Sequence, residues 1–383
     1  MSLVIDYSNG VFEAVPSGET VGTITGNATL DLTSGNLFNH TPTANTTFVF
    51  SNPPTTGSAY DMTLKVVGAN VTSGYDIANA SYDSVSFSVG TQDGTPAAMF
   101  FKNDGTKVYM AGQSTDTLYE YSLSTAWDIS TASYNSVSLS IATNVANALG
   151  LYFRDDGLKM YLSSGTNNTI VEYNLSTAWD ITTSSYNQNF SISGQDTLAA
   201  GLYFKDDGTK MYVIGYYGQD VNEYSLSTAW DISSASYSQN FSVFTQEVLP
   251  FALWFSPDGT RMYVAGNAGD DVNEYTLSTG WDISTASYNQ NFSVASQEGT
   301  PRAIAFKSDG TKMYVVGTGN DTIYQYSTAG AAALATIAWP SSVKWAGGTA
   351  PSAPASGEKD VYNFFTLDGG TTYYGFQAGD AMA

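Results

Sequence analysis

An all-β fold is what this sequence predicts: a five-bladed β-propeller of four-stranded blades, inserted into a small β-sandwich or jelly roll. Three observations carry the prediction. An Asp-Gly pair returns at Asp104-Gly105, Asp156-Gly157, Asp207-Gly208, Asp258-Gly259 and Asp309-Gly310, in steps of 52, 51, 51 and 51 residues. Self-similarity at such a period marks a solenoid, a propeller or an array. A Trp-Asp-Ile word keeps the same period at Trp127, Trp179, Trp230 and Trp281, with Tyr75-Asp76-Ile77 as its first variant. Composition agrees: of 383 residues 14% are aromatic and only 13% charged, and Ser, Thr, Asn and Gly fill the difference, as turn-rich β proteins require.

Each unit reads as four strands. In the last one, Ser287–Val294 alternates polar and apolar residues as a half-exposed strand does. Arg302–Lys307 is apolar on successive positions, as a strand covered on both faces is. Lys312–Val316 and Thr322–Tyr326 complete the set, and Asp309-Gly310 joins the second strand to the third, the glycine supplying the positive φ of a tight hairpin. The second strand is the innermost, because the units begin it with Ala98, Gly150, Gly201, Ala252 and Ala303 and place Phe101, Phe153, Phe204, Phe255 and Phe306 three residues on. Small near the axis and large further out suits a wedge. The segment opens with a first-type strand, Ser81–Val89, and ends with a fourth-type strand. Pairing the two completes a fifth blade and closes the ring without an open edge; an open β-solenoid is the alternative.

Closure brings the segment's ends together, which lets the ring sit in a loop of another domain. The flanks fit that arrangement, with boundaries at 1–73, 74–329 and 330–383. Ala28–Leu32, Thr47–Phe50 and Met62–Val67 read as strands before the ring, and Ala335–Trp339, Val361–Phe365 and Thr371–Phe376 after it. Neither half has enough strands to stand alone. Gly330–Ala333 reads as the return linker.

The flanks also carry a resemblance. Asp31-Leu-Thr-Ser-Gly-Asn-Leu-Phe-Asn-His40 and Thr46-Thr-Phe-Val-Phe-Ser-Asn-Pro-Pro54 resemble the first half of a small β domain of tailed-phage virion proteins, found in tail fibres and other surface appendages. Trp339-Pro340, Val343-Lys344-Trp345, Gly347–Pro351 and Thr366–Gly375 resemble its second half. The resemblance covers roughly a quarter of the chain and is a string of short words. It implies a virion structural protein at the virion surface, with other virion proteins as partners and no catalytic residues to carry over. Trimeric assembly is common among such appendages, although no heptad pattern supports a trimeric stalk here.

Charge and composition exclude several classes. A net charge of -22 argues against direct binding to nucleic acid or to an anionic membrane. No apolar run approaches the length of a membrane span, and the start, Met1–Asp6, has no basic segment before an apolar one, so neither membrane insertion nor a signal peptide is expected. With no cysteine there are no disulfides or thiolate metal sites. One histidine, His40, read as a turn residue, leaves no room for Ser-His-Asp or Cys-His chemistry. No cofactor is indicated.

Four features are candidate sites. The Trp-Asp-Ile ring would serve as a stacking platform for sugars, or more simply pack blade on blade with the Asp as a turn or cap acceptor. The Asp-Gly hairpins suggest Ca²⁺, but the preceding residues, Asn103, Asp155, Asp206, Pro257 and Ser308, do not make a consistent ligand set, and turn chemistry explains the pair. Before the inner strand stand Gln92-Asp93, Gln195-Asp196, Gln246-Glu247 and Gln297-Glu298, with Asn144-Val145 in the remaining unit. They are expected around one mouth of the channel, as acceptors for sugar hydroxyls or a cation, or as a solvated rim. Tyr216-Tyr217 departs furthest from the repeat, where sister loops carry Gln113-Ser114, Gly165-Thr166, Asn267-Ala268 and Thr318-Gly319. Exposed aromatics in a polar loop are what carbohydrate and protein recognition use.

The expected function is therefore a phage appendage protein, not an enzyme, whose propeller recognises a host-surface glycan or receptor. Two alternatives stand beside it: a head decoration or spacer without a ligand, and a propeller glycosidase. Glycoside hydrolysis needs two carboxylates about 5–9.5 Å apart. The inner strands, such as Met99-Phe-Phe and Leu151-Tyr-Phe, carry none, which leaves rim acids such as Asp93 and Glu298.

Overall fold

A computed structural model of the chain describes residues 24–25, 29–42, 46–53, 55, 59–67, 70–72, 74–328, 332–334 and 336–382. The N-terminal arm before residue 24, Gly330 and Ala331 of the return linker, and the boundary at 73 lie outside the described residues. The chain divides into two compact units, residues 1–73 with 331–383, and Gly74–Gly330.

The larger unit is a five-bladed β-propeller. Numbered from the axis outward, the strands of blade 1 are the first, Pro96–Phe101, the second, Lys107–Gly112, the third, Thr117–Leu123, and the fourth, Ala132–Ser140, all antiparallel, so the Asp-Gly hairpin joins first to second. Blades 2, 3 and 4 repeat it, with inner strands Ala148–Phe153, Ala199–Phe204 and Pro250–Phe255. Blade 5 takes Pro301–Phe306, Lys312–Gly317 and Thr322–Ser327 from the C-terminal end and its outer strand, Ser81–Ser88, from the N-terminal end. That ladder pairs Thr322 with Ser88 and Ser327 with Ser81. Each inner strand packs beside the next, and the fifth beside the first, so the ring is closed.

Small residues at the start of the inner strand are needed because neighbouring strands touch there. A Cβ at Gly150 would lie 2.8 Å from the Ala200 carbonyl, and one at Gly201 2.6 Å from that of Phe251. The uneven 52-residue step is a bulge. Blade 1 leaves Asn135 and Ser136 unpaired in its outer strand, Ser136 at φ 62°, where blades 2–4 leave one residue. An extra residue in one strand is how a bulge forms.

The Trp-Asp-Ile word locks blade to blade. Each tryptophan follows the third strand, takes a left-handed backbone (φ 64–65°) and lies on the hairpin glycine of its own blade, where a Cβ would meet the indole at 2.3–2.4 Å. Those glycines also need their positive φ of 68–72°. A bulky residue at positive φ is strained. Two hydrogen bonds offset the strain. The Trp N–H donates to the hairpin glycine carbonyl, and the Trp carbonyl accepts the hydroxyl of a tyrosine on the preceding blade. The series Tyr109 to Trp179, Tyr161 to Trp230, Tyr212 to Trp281, Tyr263 to Tyr75 and Tyr314 to Trp127 runs round the whole ring. The aspartates cap one-turn 3₁₀ helices: Asp128 accepts from the Ser130 N–H, and Asp180, Asp231 and Asp282 do the same in turn.

Ion pairs also repeat inside the blades. Lys107, Lys159, Lys210 and Arg261 pair with the buried third-strand carboxylates Glu120, Glu172, Glu223 and Glu274. In blade 5 the third strand carries Gln325 instead, and the carboxylate comes from Asp83 across the closing ladder, on Lys312 at 2.6 Å.

In the smaller unit, Leu37–His40, Tyr60–Val67, Lys359–Thr366, Tyr373–Met382 and Val343–Trp345 form one mixed five-stranded sheet, in that order. Tyr60–Val67 pairs with Lys359–Thr366, so a single ladder joins chain before the ring to chain after it. Thr29–Asp31 pairs parallel with Val49–Ser51 in a separate sheet. Leu30, Phe38, Leu64, Tyr362 and Phe364 share one core from the two sheets. His40 ends a strand instead of sitting in a turn. It is buried edge-on to Phe48, and that burial holds its pKa below the usual histidine value.

Candidate ligand-binding sites at the two faces of the propeller

One face carries the loops that enter the inner strands and those that join second to third strands. The amide–acid pairs are on this face, but their carboxylates point inward. Asp93, Asp196, Glu247 and Glu298 are at most 4% exposed. Each accepts the backbone N–H two residues on, from Thr95, Leu198, Leu249 and Thr300. Each also reaches the loop some twenty residues later: Asp93 accepts from Ser114 and Thr115, Asp196 from Gly218, Glu247 from Ala268 and Gly269, Glu298 from Gly319 and Asn320. The amides are engaged too, since Gln92, Gln195, Gln246 and Gln297 accept from Tyr121, Tyr224, Tyr275 and Tyr326 at 3.3–3.5 Å. Neither a hydroxyl-binding ring nor a solvated rim describes these acids. They brace two loops of one blade, because carboxylates taken from water need donors and the loop amides supply them.

Tyr216 and Tyr217 stand on the same face. Tyr217 is 64% exposed and meets Tyr216 edge to face at 5.0 Å. Tyr216 packs on Phe251 at 4.9 Å, and the Arg302 guanidinium lies 3.7 Å over the Phe251 ring. Of the ten Lys and Arg side chains of the propeller, nine are in ion pairs, and Arg302 has none. Its Nε is buried without a hydrogen-bond partner, and loss of water lowers its pKa. Sequence reading singled out the tyrosines and missed this arginine, although Arg302 stands where sister strands carry Ala97, Leu149, Ala200 and Phe251.

The channel beneath is narrow, with about 20 Å³ of free space, room for one or two waters. At the hairpin face it widens into a cavity of about 270 Å³. Its wall comes from the residue before each inner-strand phenylalanine: Phe100, Tyr152, Tyr203 and Trp254, standing edge to face in sequence at 5.1–5.3 Å. Blade 5 has Ala305 there. The edge of the cavity is the residue before each hairpin aspartate, Asn103, Asp155, Asp206, Pro257 and Ser308. Asn103 donates to Asp155. The Asp206 carboxyl receives no hydrogen bond and is pushed up to about 6, first by loss of water and then by the charges of Asp155 and Asp207. No group of three His, Asp or Glu side chains among the described residues is placed to hold a metal ion. The signal for this cavity was in the inner strands, where an aromatic precedes the phenylalanine in four units and a small residue in the fifth.

No protein-family model matches this chain, and no curated protein matches it. Among solved structures it resembles a candidate 6-phosphogluconolactonase of Bacteroides uniformis, with 14% identity and a TM-score of 0.40, over 58% of this chain and 64% of that one. A second candidate of that name, from Bacteroides fragilis, has 12% identity and a TM-score of 0.37, over 52% and 55%. A functionally unknown protein of Desulfotomaculum acetoxidans has 12% identity and a TM-score of 0.37, over 75% and 87%. The chain thus spans less than two thirds of the first two. At these values no activity passes from them to this protein.

Proposed function

We propose that this chain is a structural protein of a tailed-phage surface appendage whose propeller recognises a host-surface glycan at the loop face. The flanking words that resemble virion domains support the setting. One observation carries recognition: the row Tyr217, Tyr216, Phe251, Arg302 runs from an exposed ring over one half-buried and one buried aromatic to an unpaired guanidinium. Sugars stack on aromatic rings, and a planar guanidinium takes a carboxylate in two hydrogen bonds. An acidic polysaccharide is the matching ligand.

The test is binding of the full chain to immobilised polygalacturonate and dextran, with Arg302→Met and the double change Tyr216→Ala, Tyr217→Ala alongside. Recognition requires retention on polygalacturonate that both variants lose. Retention unchanged in both removes the loop face from the proposal, and no retention on either polymer leaves the decoration protein as the better reading. Antibody labelling of purified particles tests the virion setting separately.

A second reading rests on the opposite face. The glycosidase no longer has Asp93 and Glu298 to use, since both are buried and saturated. Asp206, held near 6 beside Asp155 in an aromatic cavity, has instead the raised pKa that an acid catalyst in a carboxylate pair needs. Release of reducing sugar that Asp206→Asn abolishes would replace recognition by hydrolysis.

A further inference from the structure

The hairpin-face cavity has chemistry opposite to that of the loop face, and the repeat does not account for it. Four of the five hairpin aspartates are matched by a cation: Asp104, Asp156, Asp207 and Asp309 pair with Lys102, Arg154, Lys205 and Lys307, and Asp258 accepts from Ser256 and Thr260 instead. Asp155 and Asp206, one residue earlier in their hairpins, have no cation. Both line the cavity. With the remaining propeller cations held inside blades or over Phe251, the propeller has none to bring to them.

The walls narrow the choice of ligand. Two carboxylates repel an anion. A Ca²⁺ ion takes six to eight oxygens, and among the described residues Asp155 and Asp206 are the only carboxylates that line this cavity. Aromatic rings and carboxylates both favour an organic cation, which gains from the ring quadrupole and from the charge pair together. A volume of about 270 Å³ holds a small molecule and no more than the end of a polymer.

We infer that this cavity binds a small ligand through its organic ammonium group, between Asp155, Asp206 and the Tyr152–Tyr203–Trp254 wall. Choline head groups and amino sugars both present that group. The ammonium stabilises the ionised Asp206 that the cavity otherwise disfavours, and a neutral ligand does not.

Titration calorimetry of the full chain at pH 7.5 with choline, glucosamine, 3,3-dimethylbutanol and glucose tests it. The last two are neutral counterparts of the first two. Whichever cation binds identifies the source, and it is expected to bind at least about tenfold tighter than its neutral counterpart. Asp206→Asn and Asp155→Asn are each expected to weaken it at least about tenfold. Asp207→Asn, a rim carboxylate already paired with Lys205, is expected to leave it unchanged. Cooperative melting close to that of the wild type shows that the variants fold. Equal affinity for cation and neutral counterpart, loss in Asp207→Asn equal to that in Asp206→Asn, or no heat from either cation up to tens of millimolar overturns the assignment.

Discussion

The two faces of the propeller use the same residue type to opposite ends. On the loop face four carboxylates are buried and covered by backbone amides. On the hairpin face Asp155 and Asp206 stand at a cavity without a cation. The difference follows the repeat. Asp93, Asp196, Glu247 and Glu298 recur at one place in four units, and the fold uses them at each. Asp155 and Asp206 share their position with Asn103, Pro257 and Ser308, so the fold does not depend on them. Arg302 obeys the same rule. Here a charge that recurs belongs to the structure, and Asp155, Asp206 and Arg302, which depart from the repeat without an ion-pair partner, do not.

Four substitutions would break or sharpen that contrast. Glu247→Ala strands the amides of Leu249, Ala268 and Gly269 around an emptied acceptor, and is expected to cost about 3 kcal/mol in denaturant unfolding. A cost as small as that of Asp206→Asn would erase the distinction between the faces. Tyr212→Phe removes one inter-blade hydrogen bond to the Trp281 carbonyl and should cost about 1 kcal/mol. Tyr217→Ala, at an exposed tip, should change stability by no more than about 0.5 kcal/mol while it alters binding.

Asp206→Asn should have the smallest effect, and it depends on pH. The folded carboxyl titrates near 6, above its ordinary 3.8, so the folded chain holds this proton more tightly than the unfolded chain does. The stability it contributes is full below about 4 and is lost as pH rises through about 6. The wild-type melting temperature should therefore fall slightly against that of Asp206→Asn across this window. Exposure keeps the difference to about a few tenths of a kcal/mol. A wild type that gains stability on the variant with rising pH would contradict the assigned shift.

The propeller was legible because each of its elements is written five times. Hairpin glycines, small inner residues and the unpaired end strands all report on backbone geometry, which every copy must satisfy. The third-strand carboxylates were also there to read: Glu120, Glu172, Glu223 and Glu274 fall at one position, and Gln325 with Asp83 exchanges the two groups across the closing ladder. The position of the amide–acid pairs was legible, but their direction was not. An acid accepting from the N–H two residues on is local chemistry; its second contact, in a loop some twenty residues away, exists only in the folded blade. The flanks were harder. Leu37–His40 and Val343–Trp345 are short and pair parallel to distant partners, so neither has a hairpin turn to announce it. The hairpin-face cavity needed the blade geometry that turns Phe100, Tyr152, Tyr203 and Trp254 toward one space.

Just outside the ring, Asn70–Thr72 pairs with Ala332–Leu334, so the chain is tied to itself before it enters the propeller and after it leaves. That short ladder has a mechanical meaning. The closing ladder of blade 5 begins at Ser81 paired with Ser327, so tension applied at those two residues would peel it open one pair at a time. The tie at 70–72 gives a pulling force another path. Load passing along the chain crosses from residue 72 to residue 332 without entering the ring, and the blades stay unstressed while the tie holds.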